Sequence, residues 1–374
     1  MSTPTPRNHR TGFNRSSRFR TRAFWLLVKV ALFWYAIGFV KTVYDYYLLK
    51  NNNGEVFDFA NWLAGMGLAI TLGLLFLGPL IIYVLYRFLR AAPYWKVLLY
   101  LLIGYAVIAV GMELITLPVI YGLDHQVGIF SQAAFLYALH YLQTPNFLAV
   151  FLFWLLVLLL TVVVILVNEK YGPGMFGKLL MGQYYRPKKE DRIFMFLDMK
   201  SSTAIAEDIG EEAYFNLLKD CFADMTGPIL DNEGEIYQYV GDEVIVCWPL
   251  ETGLKSGRCV QTFLDIRQKL RQMEAYYLEK YGVLPAFKAG FHAGQVMAGE
   301  IGVIKRDITY SGDVLNTTSR IQSKCNELGV DHLISGSLWQ QLRPHFSIEG
   351  ERVSVEVALR GRNEKVDLYR VVES

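Results

Sequence analysis

The chain has 374 residues, 37 basic against 35 acidic side chains for a formal net charge of +2, and 53% hydrophobic residues. A charge this close to balance argues against nucleic acid as the main partner, which would call for a basic face. The four cysteines, Cys221, Cys247, Cys259 and Cys325, form no CxxC spacing, so neither a zinc site nor a disulfide framework is expected and the thiols read as reduced.

The hydrophobic residues are unevenly spread. Residues 23–168 are mostly apolar, whereas 185–374 have ordinary globular composition. Residues 1–22 read as a disordered basic tail, with Arg7, Arg10, Arg15, Arg18, Arg20 and Arg22 ahead of the first apolar run, and that charge keeps the end cytoplasmic. Four stretches reach the length of about 20 apolar residues that a bilayer demands: 23–43, 62–86, 97–121 and 146–168. Arg87, Arg90 and Lys96 lie between the second and third, and Gly122 to Pro145 contains no Lys or Arg. The first and third loops are therefore placed outside and both termini inside, in the inner (plasma) membrane. No small-residue cleavage site closes the first run, so a removed signal peptide is not expected.

Within these spans Lys29 lies near the cytoplasmic end and is explained by snorkelling. Glu113 lies deeper. It reads either as a polar helix–helix contact or, with His125 or His140, as part of a pocket for an unknown ligand. Residues 129–142 read as an interfacial helix. Residues 169–191 form a linker in which Gly172, Pro173, Gly174, Gly177 and Pro187 interrupt any continuous helix.

From residue 192 the pattern changes. Ile193 to Leu197 is a short, β-prone apolar run suited to a buried central strand, and Asp198 ends it. Ser201, Ser202 and Thr203 follow as N-cap candidates, gathering free backbone N–H groups beyond a carboxylate. Glu235–Tyr239 and Val244–Trp248 read as a hairpin whose Gly241-Asp242 turn presents a second carboxylate. Taken singly, Asp198 also reads as a helix cap and Asp242 as a turn residue. Taken together, two strand tips bearing carboxylates beside a phosphate-cradling loop make a magnesium–triphosphate site.

Helices are expected over Ala204 to about Asp231 and about Leu254 to Glu279, and strands near 286–292, 296–301 and 307–310. A last helix, from Val314 to about Cys325, carries Asn316 and Arg320 four residues apart on one face. The alternation indicates an α+β domain with helices over one face of a mainly antiparallel sheet. His292 has no second His or Cys at ligand spacing and reads as a satisfied core residue. Gly290, Gly294 and Gly299 read as sites of close packing.

FLDMKSST, YVGDE, FKAGFHAGQVMAGEIG and GDVLNTTSRI, in this order and spacing, resemble the class III adenylate/guanylate cyclase catalytic domain over roughly residues 190–372. The resemblance implies a ferredoxin-like palm at 192–374 and two Mg²⁺ or Mn²⁺ ions per site held by Asp198, Asp242 and the Met199 carbonyl. It further implies that Asn316 positions the ribose, that Arg320 stabilises the transition state, and that Lys288 and Arg360 hold the triphosphate. Gln238 and Thr309 match the pair that selects the purine. They fit neither the usual adenine set nor the guanine set; the guanine-reading carboxylate is absent, which favours ATP. A head-to-tail homodimer with shared active sites is implied. The reading is thus a membrane-anchored adenylate cyclase making cyclic AMP and pyrophosphate. The alternatives are a guanylate or dual-specificity cyclase and, from another class, a non-catalytic membrane receptor with a dimerising cyclase-like domain.

Overall fold

The computed structural model describes residues 17–53, 59–88, 93–125, 127–128, 130–171, 177, 181–304, 307–345, 349–358 and 365–372. The chain divides into two compact units, Met1–Leu166 and Val167–Ser374.

The first unit is helical: α1 (Ser17–Asn53), α2 (Phe59–Phe88), α3 (Tyr94–His125), α4 (Gln132–Leu142) and α5 (Pro145–Tyr171). Helix α1 begins inside the stretch expected as a tail. Among the described residues, three segments are long and apolar enough to cross a bilayer: Phe24–Leu48, Trp95–Val119 and Pro145–Asn168. In α2, where a fourth span is expected, the described apolar stretch is Met66–Leu80. The unit is apolar outside as well as in. Trp34, Leu101 and Leu158 are buried, while Leu32, Val107, Ile115 and Leu156 are two-thirds exposed, a distribution that suits lipid better than water. Its interior carries few polar contacts, among them Trp34 Nε1 donating to Thr161 Oγ1 at 3.0 Å. Glu113 is half-buried, Lys29 and His140 are exposed, and the side chain of His125 lies outside the described residues. Where an interfacial helix is expected the chain forms helix α4, capped by the Ser131 side chain.

The second unit is built on an eight-stranded sheet: β1 (Lys188–Met199), β2 (Glu235–Val240), β3 (Glu243–Pro249), β4 (Phe287–Ile301), β5 (Asp307–Ser311), β6 (His332–Ser335), β7 (Gly350–Ala358) and β8 (Lys365–Val371). The order is β2-β3-β1-β4-β6-β8-β7, with β5 paired to β4. All pairings are antiparallel except β4–β6. The two strands expected near 286–301 are one continuous β4.

Alternation along β1 splits its side chains between two cores. Ile193, Met195, Leu197 and Met199 face a layer made by α6 (Ser202–Ile209), α7 (Glu211–Asp231), α8 (Leu250–Leu254), α9 (Arg258–Gln272) and α10 (Glu274–Tyr281). Phe194 and Phe196 face the other way, into a smaller cluster with Tyr184, Tyr310 and Val314. Helix α11 (Asp313–Leu328) covers that second face, so helices lie on both sides of the sheet; α12 (Gly336–Leu342) completes the larger core.

The two long helices expected in this unit are each interrupted. Gly210, at φ +83°, separates α6 from α7, and Ser256 and Gly257, both at positive φ, separate α8 from α9. Hydrophobic periodicity runs through such breaks because the same core lies beneath both segments.

Candidate active site

Asp198 is the next-to-last residue of β1, at a point where three strands meet. Its register partners are Glu243 on β3 and Lys288 on β4. Val240 pairs with Glu243 around the Gly241-Asp242 turn, and Gly241 takes the positive φ of +62° that such a turn demands. The β2–β3 turn therefore delivers Asp242 beside Asp198, where its charge acts on the Asp198 carboxyl. The expected pair of acidic strand tips is formed.

The charges here do not balance. Burial, opposed by a hydrogen bond from Lys288 and reinforced by the Asp242 charge, holds the Asp198 carboxyl above its ordinary range. Burial, then the charges of Asp198 and Asp242, pushes Glu243 up to about 7. The near cation is Lys288, 9% exposed, with Nζ 3.0 Å from Asp198 Oδ2 and 3.3 Å from Asn326 Oδ1. Among the described residues, three acidic side chains surround one ammonium, so the site is acidic and lined with hard oxygen donors. Among the described residues no cluster of three or more His, Cys, Asp or Glu able to enclose an ion forms. A pair of carboxylates suits magnesium, which takes one or two and completes its shell with phosphates and water. The residues present therefore fit the implied divalent ions.

Beyond Asp198 the chain turns through Ser201 in the left-handed region, φ 56°, and enters α6 with no side-chain cap. Ser202 and Thr203 lie in its first turn, where backbone N–H groups have no partner within the helix. Met199 buries its side chain in the larger core while its backbone stands at the strand end beside Asp198.

Helix α11 carries Asn316 and Arg320. Its buried face holds Val314, Thr317, Thr318, Ile321, Gln322 and Cys325, and Gln322 Nε2 donates to Asp198 Oδ2 at 3.1 Å. At 100° per residue, Arg320 stands about 160° round the helix from Gln322 and Asn316 about 120°. Asn316 is exposed and Arg320 part-exposed. One chain thus does not bring Asn316 and Arg320 to its own Asp198.

Gln238 is exposed at an irregularity in β2, and Thr309 lies half-buried on β5 opposite Gly299. Their chain neighbours tie the two strands together: the rings of Tyr237 and Tyr310 are 5.1 Å apart, and the Tyr310 N–H donates to the Tyr237 hydroxyl at 3.4 Å. Arg360 lies outside the described residues. His292 is satisfied, with Nδ1 2.8 Å from Ser335 Oγ.

Four residues near the carboxylates escape the sequence reading: Glu243, Gln322, Asn326 and Tyr214, whose hydroxyl is held above its usual range by burial and then by the Asp242 charge. Gln322 alone left a signal. It is a polar side chain at a helical position otherwise shared by Thr318, Ile321 and Cys325.

The family model described as the adenylate and guanylate cyclase catalytic domain matches residues 184–372. Adenylate cyclase 2 of Rhizobium meliloti (strain 1021) is 36% identical over 203 residues, covering 54% of this chain and 56% of the relative. An adenylate cyclase of Anabaena cylindrica is 28% identical over 183 residues, covering 47% and 36%. The chain thus spans about half, or less, of the length of these relatives. Among solved structures, a bacterial light-regulated adenylyl cyclase aligns with a TM-score of 0.49 at 21% identity, covering 57% of this chain and 62% of that one.

Proposed function

Since the chain belongs to the family of adenylate and guanylate cyclase catalytic domains, we propose that it converts ATP to 3′,5′-cyclic AMP and pyrophosphate at sites shared by two copies. The observation that carries this reading is the two-sidedness of α11, with Gln322 touching Asp198 on one face and Asn316 and Arg320 on the other. A second copy supplies what one chain cannot bring to its own carboxylates. Head-to-tail pairing yields two equivalent sites.

Asp198 and Asp242, with the Met199 carbonyl, would hold two Mg²⁺ or Mn²⁺ ions, which when bound lower the pKa of the 3′-hydroxyl and stabilise the attacking and leaving oxygens. The ribose 3′-hydroxyl gives up its proton to solvent as its oxygen attacks the α-phosphorus, the bond to the bridging oxygen of the β-phosphate breaks, and pyrophosphate leaves. Asn316 of the second copy orients the ribose. Arg320 of the second copy lies against the charge growing on the α-phosphoryl group, a role worth about two to three orders of magnitude in rate. First-turn N–H groups at Ser202 and Thr203, together with Lys288 and Arg360, hold the phosphates. The Thr309 hydroxyl accepts from the adenine amino group, and Gln238 turns its amide to meet the ring edge.

The first unit anchors the enzyme in the inner membrane by four passes with both termini cytoplasmic, α2 providing the fourth. Lys and Arg flank the cytoplasmic ends.

Full-length protein in detergent or proteoliposomes, given ATP or GTP with Mg²⁺ or Mn²⁺, tests the activity directly. Cyclic AMP is expected as the main product. More cyclic GMP than cyclic AMP at equal substrate would reassign the substrate, and absence of turnover with either would return the chain to a non-catalytic receptor.

A further inference from the structure

Gln322 is 5% exposed, and its amide reaches the same Asp198 oxygen that the Lys288 ammonium approaches. Lys288 is itself held by Asn326, one turn further along α11. Both donors to Asp198 Oδ2 are therefore governed by one helix, Gln322 directly and Lys288 through Asn326. The backbone of α11 rests on β4 at this very residue, which fixes how far the Gln322 side chain extends. The amide is also neutral. It constrains the carboxylate without adding a second cation to compete for it.

We infer that Gln322 is a positioning residue for Asp198 of its own chain, and that α11 thereby serves both sites of the dimer at once, setting a carboxylate in one and presenting Asn316 and Arg320 to the other. The inference rests on the shared-site reading above. Loss of the Gln322 amide loosens the carboxylate and weakens its grip on a divalent ion, and groups that orient a ligating side chain in this way are worth about 10- to 100-fold in metal affinity or activity.

The test uses full-length mixed dimers purified through two different tags, one copy carrying Asp198→Ala and the other Arg320→Ala. Shared sites leave one complete site, built from the second copy's Asp198 and the first copy's Arg320. If this dimer is inert while the wild type cyclises ATP, the shared-site reading fails before Gln322 is touched. If it is active, Gln322→Met, which keeps length and volume but removes the donor, is placed on either copy. The Mn²⁺ concentration for half-maximal turnover should rise about tenfold or more when Gln322→Met accompanies the intact Asp198. It should move less than about twofold when it accompanies the intact Arg320. Equal shifts from the two placements would mean that Gln322 acts only through the packing of α11, and no shift from either would mean that it does not act on the metal; each overturns the inference. Electron paramagnetic resonance titration of Mn²⁺ into the homodimer with a non-cyclisable ATP analogue gives a readout apart from turnover. Weaker binding in Gln322→Met supports the inference and unchanged binding overturns it. Should that variant fail to accumulate, Gln322→Leu takes its place with the same outcomes.

Discussion

Gly290 lies directly beneath Gln322: a methyl group added at Gly290 would stand 2.4 Å from the Gln322 backbone nitrogen and 2.7 Å from its Cα. The obstruction is backbone, so no rotamer change relieves it. Gly290→Ala must lift α11 from β4, at a cost of about 1–3 kcal/mol for overpacking. Since Gln322 and Asn326 rise with the helix, cyclisation should fall further than the loss of folded protein explains. Turnover per folded molecule, with folding followed by denaturant titration, checks this.

Asp198→Ala and Asp242→Ala should each abolish turnover, yet differ in stability. Asp198 holds the buried Lys288 ammonium, and removing one partner of such a pair leaves the other charge unmatched. The cost is about 2–3 kcal/mol, below the full range because Asp198 keeps some solvent contact. Asp242 forms no ion pair with Lys288 among those described, so Asp242→Ala should stay near wild type in stability. Equal denaturation midpoints for the two variants would contradict this account.

His332 makes folding sensitive to acid. Its Nε2 accepts the Val371 N–H at 2.9 Å, and burial, aided by Arg267, pushes its pKa down to about 4 from the ordinary 6.5. In the window between those values the unfolded chain binds a proton that the folded chain refuses. Stability is therefore complete above about pH 6.5 and declines as pH falls toward 4, by up to about 3 kcal/mol. Denaturation midpoints between pH 8 and pH 4 should follow this course in the wild type and flatten over that window in His332→Gln.

Base selection should reside in Gln238 and Thr309. Replacing them together, Gln238→Glu with Thr309→Cys, supplies a carboxylate for the guanine N–H groups and removes the hydroxyl that meets the adenine amino group. The ratio of kcat/KM for GTP over ATP should rise by about tenfold or more, since a site built for one hydrogen-bond pattern penalises the other. An unmoved ratio would remove both residues from the base site.

Topology can be read with thiol labels, because all four native cysteines are buried and leave little background. Ser2→Cys and Ser374→Cys should both react with an impermeant reagent in inside-out vesicles and neither in right-side-out ones. Labelling of the two on opposite sides would demand an odd number of passes.

How far the sequence led depends on what each residue interacts with. Asp198 and Asp242 were legible because strand ends and turns are local events, marked by an apolar run that stops and a glycine that permits the bend. The interruptions at Gly210 and Ser256-Gly257 were not, because apolar residues on both sides continue to face one core. The cover on the second face of the sheet was hidden as well: α11 has an apolar stripe, but nothing in that stripe says which side of the sheet it meets. Lys288 was expected at the triphosphate, but its contacts with Asp198 and Asn326, 90 and 38 positions away in the chain, were not legible. Gln322 depends on a contact 124 residues distant, which no spacing encodes.

The order of the two units has a consequence for assembly. The helices that expose Leu32, Val107, Ile115 and Leu156 precede the catalytic sheet, and chains fold from the N-terminus as they are synthesised. With the first unit in a bilayer as proposed, the chain would already be held in lipid by the time β8 leaves the ribosome. If two membrane-held copies share sites as proposed, they would meet by diffusing within a plane rather than through a volume, and the yield of paired sites would follow density per area of membrane rather than total amount in the cell.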